Sequence, residues 1–83
     1  MKVTVRYFAS IREAMGVGAE SIETDARTLA QLRDVLIERP GAAGESLARG
    51  RAVRMALNQV MSDESAALTE ACEVAFFPPV TGG

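Results

Sequence analysis

Glu73-Val74-Ala75-Phe76-Phe77-Pro78-Pro79 is the stretch that decides the fold. Val74 and Phe76 fall on one side of an extended chain and Ala75 and Phe77 on the other, which is the two-residue period of a strand. Pro78-Pro79 ends that strand, because each proline fixes an extended dihedral and removes an amide donor. Residues 2–8 carry the same period, with Val3, Val5 and Tyr7 on one face and Thr4, Arg6 and Phe8 on the other. The sheet closes if these first and last strands lie side by side. Each then buries its inward set against a helix, and Phe8 and Phe77 are left together on the opposite face.

That helix is the segment opened by Thr28-Leu29-Ala30-Gln31, a capping-box form, with Leu29, Leu32, Val35 and Leu36 at helical spacing. Pro40-Gly41 stops it, and 42–47 allow another turn of helix. Upstream, Ser10-Ile11-Arg12-Glu13 has the capping-box form as well, Gly16 and Gly18 end a short helix, and 19–25 read as a second strand centred on Ile22 that forms a hairpin-like unit with the first. Downstream, Val53, Met55 and Leu57 alternate as a third strand. Asn58-Gln59 supplies a turn, Val60-Met61 continue the sheet briefly, and 62–72 are polar and loop-like. The fold class expected is α+β: a mixed sheet covered on one face by one main helix, with a domain over 1–77 and an extended tail over 78–83.

The bulk properties bound the function. Eighty-three residues, 48% of them apolar, make one domain, and a domain this short buries only about 60% of its unfolded surface. A net charge of -2 gives no general attraction to nucleic acid or anionic lipid. A signal-peptide stretch and a run long enough to span a bilayer are both missing, so a soluble cytoplasmic protein is expected. There is no histidine, and Cys72 is the only cysteine. Catalytic triads, histidine-based metal sites and an internal disulfide are therefore out, and no metal site is expected. The chain is not read as an enzyme with a side-chain catalytic centre.

What remains is the tail, Pro78-Pro79-Val80-Thr81-Gly82-Gly83. At roughly 3.1 Å per residue, six residues project the terminal carboxylate nearly 20 Å from the fold. The two glycines leave no side chain beside it, so it can enter a channel too narrow for other residues. The competing reading is a frayed terminus; a stiff Pro-Pro lead before bare Gly-Gly argues for a working tail. Phe8 and Phe77, extended by Met61, form an exposed apolar patch or else fold over the sheet edge into a minor cluster, and both readings stand at this point. Arg49, Arg51 and Arg54 form a basic cluster that either meets an acidic partner or is solvated surface charge. Cys72 reads as a small turn residue with no role.

Tyr7-Phe8-Ala9 with Arg12-Glu13, then Ala56-Leu57-Asn58-Gln59, and above all Glu73 to Gly83 (EVAFFPPVTGG) resemble the small, sulfur-carrying subunit of molybdopterin synthase, a likeness that covers the chain end to end. The resemblance implies a ubiquitin-like β-grasp fold. It implies that the carboxylate of Gly83 is adenylated and converted to a thiocarboxylate, with Gly82 as the clearance residue. Phe8, Met61, Phe77, Pro78, Pro79, Val80 and Thr81 then bind partners. Those partners are the large synthase subunit in a heterotetramer, an E1-like adenylating enzyme, and a sulfur donor such as a cysteine desulfurase or rhodanese-like protein. No cofactor is bound and ATP is consumed by the activating enzyme; the sulfur acceptor is cyclic pyranopterin monophosphate. Two other functions share the fold: a sulfur carrier for thiazole or tRNA thiolation, and a ubiquitin-like modifier or binding module.

Overall fold

The computed structural model describes residues 1–79; Val80, Thr81, Gly82 and Gly83 lie outside the described residues. In chain order the elements are β1 (Lys2–Tyr7), α1 (Ala9–Met15), β2 (Ala19–Glu23), α2 (Leu29–Ile37), α3 (Ala42–Ser46), β3 (Arg54–Leu57), β4 (Val60–Ser62) and β5 (Glu73–Phe77). The sheet order is β2-β1-β5-β3-β4. β5 runs parallel to β1, with Val5 opposite Val74 and Tyr7 opposite Phe76, and antiparallel to β3. The first and last strands are thus neighbours at the centre, and the sheet is mixed.

The alternation sorts the residues as the sequence predicts. Val3, Val5, Tyr7, Val74 and Phe76 are buried against Leu29, Leu32 and Leu36 of α2, with Leu47 from the segment after α3. Asn58 and Gln59 both take positive φ, 50° and 68°, the left-handed pair that lets a two-residue turn join β3 to β4 with the right twist.

Three local readings are corrected. Ser10 does not cap α1: Phe8 is the N-cap, and no side chain makes a capping bond. The reason is the sheet. The Phe8 amide donates to the Phe76 carbonyl at 3.2 Å, so strand pairing continues through Phe8, and the Arg12 amide donates to the Phe8 carbonyl as the first helical bond. Ser10 is already inside the helix. The Thr28 cap does form, accepting from the Gln31 amide at 3.2 Å, while the Gln31 side chain accepts from the Arg27 amide at 2.7 Å.

Val35 is exposed and Arg33 is buried in its place. At about 100° per residue Arg33 lies some 40° from Leu29 around the helix, and Val35 about 120°. Arg33 therefore belongs to the inward stripe. Its guanidinium donates to the carbonyls of Leu47, Ala48 and Arg51 at 2.7, 2.8 and 3.1 Å, and to the Glu64 carboxylate at 2.6 Å. The third correction is the stretch 62–72: Ser62 ends β4, and the loop from 63 on, irregular as read, is pinned. Glu64 and Ala66 carbonyls accept from the amides of Ala30 and Leu29 at the start of α2, and Leu68 and Cys72 are buried in the core.

A second polar tie holds the opposite side. The buried Tyr7 hydroxyl donates to Glu20 at 2.7 Å, and Arg39 donates to both oxygens of the same carboxylate at 2.7 and 2.9 Å. Burial raises the Tyr7 pKa well above its ordinary value, reinforced by the Glu20 bond. Arg39 holds Glu20 below the ordinary carboxylate range.

Candidate functional site

The root of the tail is where the sequence features converge. Phe77 is the last residue of β5, and its alternation carries it to the sheet face that α2 does not cover. Phe8 follows the parallel strand β1 and reaches the same face, because β1 and β5 are in register with Tyr7 beside Phe76. The two rings meet edge to face, centroids 6.3 Å apart and planes at 87°, the arrangement that sets the positive edge of one ring on the negative face of the other. Phe8 remains 42% exposed. Phe8 therefore stands on an exposed patch, with Phe77 half-buried against it.

The patch has a hollow beside it, bordered by Phe8, Phe77, Ala75, Gln59 and the two prolines, Pro78 and Pro79, with Arg6 and Glu73 at its rim. Arg6 sits over the Phe8 ring at 5.9 Å and pairs with Glu73 at 3.8 Å. Met61 is on this face too. It lies opposite Ala56, which lies opposite Ala75, and it is 56% exposed. The apolar band thus runs Phe8, Phe77, Ala75, Ala56, Met61 across four strands. Burying a side chain of this size on a partner contributes about 1.5–3 kcal/mol.

Pro78 and Pro79 also line a second cleft on the helix side, formed by α1, α3 and Gly50-Arg51-Ala52, with a volume of about 640 Å³. The tail root is a wall between two hollows. The four residues that follow, including Gly82 and Gly83, lie outside the described residues.

The three arginines separate. Arg49 lies exposed across the α2 surface, where it pairs with Asp34 at 2.6 Å and with Glu64, and donates to the Ala30 carbonyl at 2.9 Å. Arg51 borders the helix-side cleft. Arg54 is on the sheet face, opposite Phe77 on the neighbouring strand. Sequence reasoning missed Arg33, whose bonds fix the segment 47–51, the end of which, Gly50-Arg51, lines that cleft; its angular position on α2 was the available signal.

A sheet with its first and last strands paired parallel at the centre and one main helix across it is the ubiquitin-like β-grasp. Comparison with known proteins narrows this. The model of the ThiS family matches residues 5–83, and the chain belongs to that family. The molybdopterin synthase sulfur carrier subunits of Haemophilus influenzae and Escherichia coli are each 36% identical to it over 81 residues, covering 98% of this chain and 99% of theirs. Among solved structures, a protein complex of subunits 1 and 2 of the molybdopterin-converting factor from Helicobacter pylori contains a chain 31% identical to this one. All of both chains is covered, with a TM-score of 0.69. No helix among the described residues is long and apolar enough to cross a membrane.

Proposed function

We propose that this chain is a sulfur carrier in molybdenum cofactor biosynthesis and acts as the small subunit of molybdopterin synthase, a reading supported by its likeness to sulfur carrier subunits over nearly its whole length. The observation that carries it is the position of the aromatic patch: Phe77 ends the strand on the open face, and the Pro78-Pro79 lead begins at the next residue. A partner seated on Phe8, Phe77 and Met61 holds the domain at the point where the tail leaves it. The tail is then delivered into that partner.

The chemistry belongs to the terminus. A carboxylate is a poor electrophile; transfer of AMP from ATP to the Gly83 carboxylate releases pyrophosphate and makes an acyl adenylate. A persulfide sulfur of the donor protein displaces AMP to give an acyl disulfide, and a second thiol then cleaves its S–S bond, forming a disulfide with the donor and freeing the thiocarboxylate. The thiocarboxylate that results is a nucleophile on a tether. Inserted into the large subunit's pocket, it reaches the substrate, cyclic pyranopterin monophosphate, at high effective concentration. Gly82 clears the way, and Val80 and Thr81 contact the partner. Two sulfurs make a dithiolene, so two charged carriers are consumed per product. An E1-like enzyme performs the activation, a cysteine desulfurase or rhodanese-like protein supplies the sulfur, and the large subunit completes a heterotetramer. On this reading the work is cytoplasmic. The domain over 1–77 is the handle and 78–83 the arm.

The test is reconstitution with a chain ending at Gly82. Its melting temperature stays with that of the full chain while sulfur transfer to the pterin stops. Retained transfer in the shortened chain refutes the reading.

A further inference from the structure

Among the described residues, Arg54 is the charged group beside the aromatic band of the open sheet face that the fold does not use. Its backbone lies opposite Phe77, and directly opposed residues of an antiparallel pair share a face with their Cβ atoms about 5 Å apart. Every other charge bordering the aromatic band has a partner: Arg6 pairs with Glu73. Asp63, which follows β4 and lines the same shallow hollow as Arg54, accepts bonds from the amide and hydroxyl of Ser65. Glu64, also in that hollow, is held by Arg33 and Arg49. Among the described residues Arg54 makes no ion pair and no side-chain hydrogen bond, and it is exposed.

A partner that covers Phe77 must also cover or face this guanidinium. Stripping water from it against an apolar surface is costly unless a counter-charge replaces the water. We infer that Arg54 is a specificity-determining contact, and that the surface it fits is a protein face with an apolar socket for Phe8 and Phe77 and a carboxylate on the rim nearest β3. This rests on the proposed function, and the occupant is the large synthase subunit. Charge complementarity argues for it: on a chain of net charge -2, the one charge beside the apolar band that has neither an ion pair nor a side-chain hydrogen bond among the described residues is positive. Rim charges of this kind act on the encounter rate and on the choice of partner more than on the depth of binding.

The experiment is the affinity of the full-length chain for the large subunit from the same organism, measured by calorimetry across a salt series, for wild type, Arg54→Gln, Arg54→Glu and Phe77→Asp. At about 50 mM salt Arg54→Glu binds at least about tenfold more weakly, with Arg54→Gln in between. The gap closes toward about 1 M salt, where the screening length is only about 3 Å. Phe77→Asp is weak at every salt concentration. Arg54→Glu within twofold of wild type at low salt overturns the assignment to Arg54 and leaves the carrier function standing. A loss that persists at high salt also overturns it, since it marks a change of shape and not of charge. Failure of the wild-type chain to bind the large subunit at all overturns both.

Discussion

Replacing Arg33 with alanine probes how the tail-root region is held. The Arg33 side chain is 5% exposed, and its four bonds are not equal in value. The Leu47 carbonyl belongs to a residue with no exposure, so no water replaces the lost donor; a hydrogen bond to a charged group in such a place is worth about 1.5–3 kcal/mol. The Ala48 and Arg51 carbonyls belong to partly or fully exposed residues and can rehydrate, at about 0.5 kcal/mol each. Glu64 is 39% exposed, keeps Arg49 and gains water, so its loss is small. Loss of the packed aliphatic stem adds about 1 kcal/mol. The sum is about 3.5–5 kcal/mol, which in a domain of this size lowers the melting temperature by roughly 14–40 °C. Arg33→Met restores the stem but not the donors and recovers about 1 kcal/mol of it. Urea unfolding of Arg33→Ala, Arg33→Met and Glu64→Gln at constant slope is the assay, with Glu64→Gln costing less than about 1 kcal/mol. An Arg33→Ala chain within 1 kcal/mol of wild type refutes the claim that this guanidinium organises 47–51.

Further outcomes are expected from the same structure. Tyr7 is the only tyrosine and there is no tryptophan, and its raised pKa means the folded state keeps the proton that the unfolded state gives up near pH 10. Its contribution to stability is complete below that pH and lost above it, so tyrosinate absorbance in an alkaline titration rises only as the chain unfolds, and a smooth rise in the folded protein near pH 10 contradicts this. Gly44→Ala places a Cβ 2.1 Å from the Arg39 carbonyl oxygen and 2.4 Å from that of Ile37, so α3 must shift, at a cost of about 1–3 kcal/mol in unfolding experiments. Ala71 has a φ of 62°, in the left-handed region, and Ala71→Gly stabilises the fold by up to about 1 kcal/mol. Phe8→Ala changes stability by less than about 1.5 kcal/mol, because the ring is half exposed, yet weakens binding to the large subunit by at least about tenfold.

The strands were legible because each buried face is regular: Val3, Val5 and Tyr7 and then Val74 and Phe76 admit one inward side. The same alternation exposed Phe8 and Phe77, and their meeting depended only on β1 and β5 being neighbours. What the sequence hid was decided by tertiary contacts. Ser10-Ile11-Arg12-Glu13 is a capping box in form, but the bond from the Phe8 amide to the Phe76 carbonyl starts α1 earlier. Val35 looks like core by residue type, whereas Arg33 is buried because three carbonyls and a carboxylate satisfy it. Arg49, Arg51 and Arg54 are one cluster in sequence and three surroundings in space, since the chain turns into β3 between them. Cys72 does close a turn, its amide donating to the Thr69 carbonyl, but it is core as well, because 69–72 pack against the start of β1, where the Thr4 amide reaches the Cys72 carbonyl.

The central claim is that sulfur travels on the carboxylate of Gly83. Its most direct test is the intact mass of the full-length chain after incubation with the activating enzyme, ATP and a sulfur source, followed by fragmentation to locate the change. Replacement of one oxygen by sulfur at Gly83 is the result expected; an unmodified terminus with a demonstrably active enzyme, or sulfur held on Cys72 instead, contradicts it.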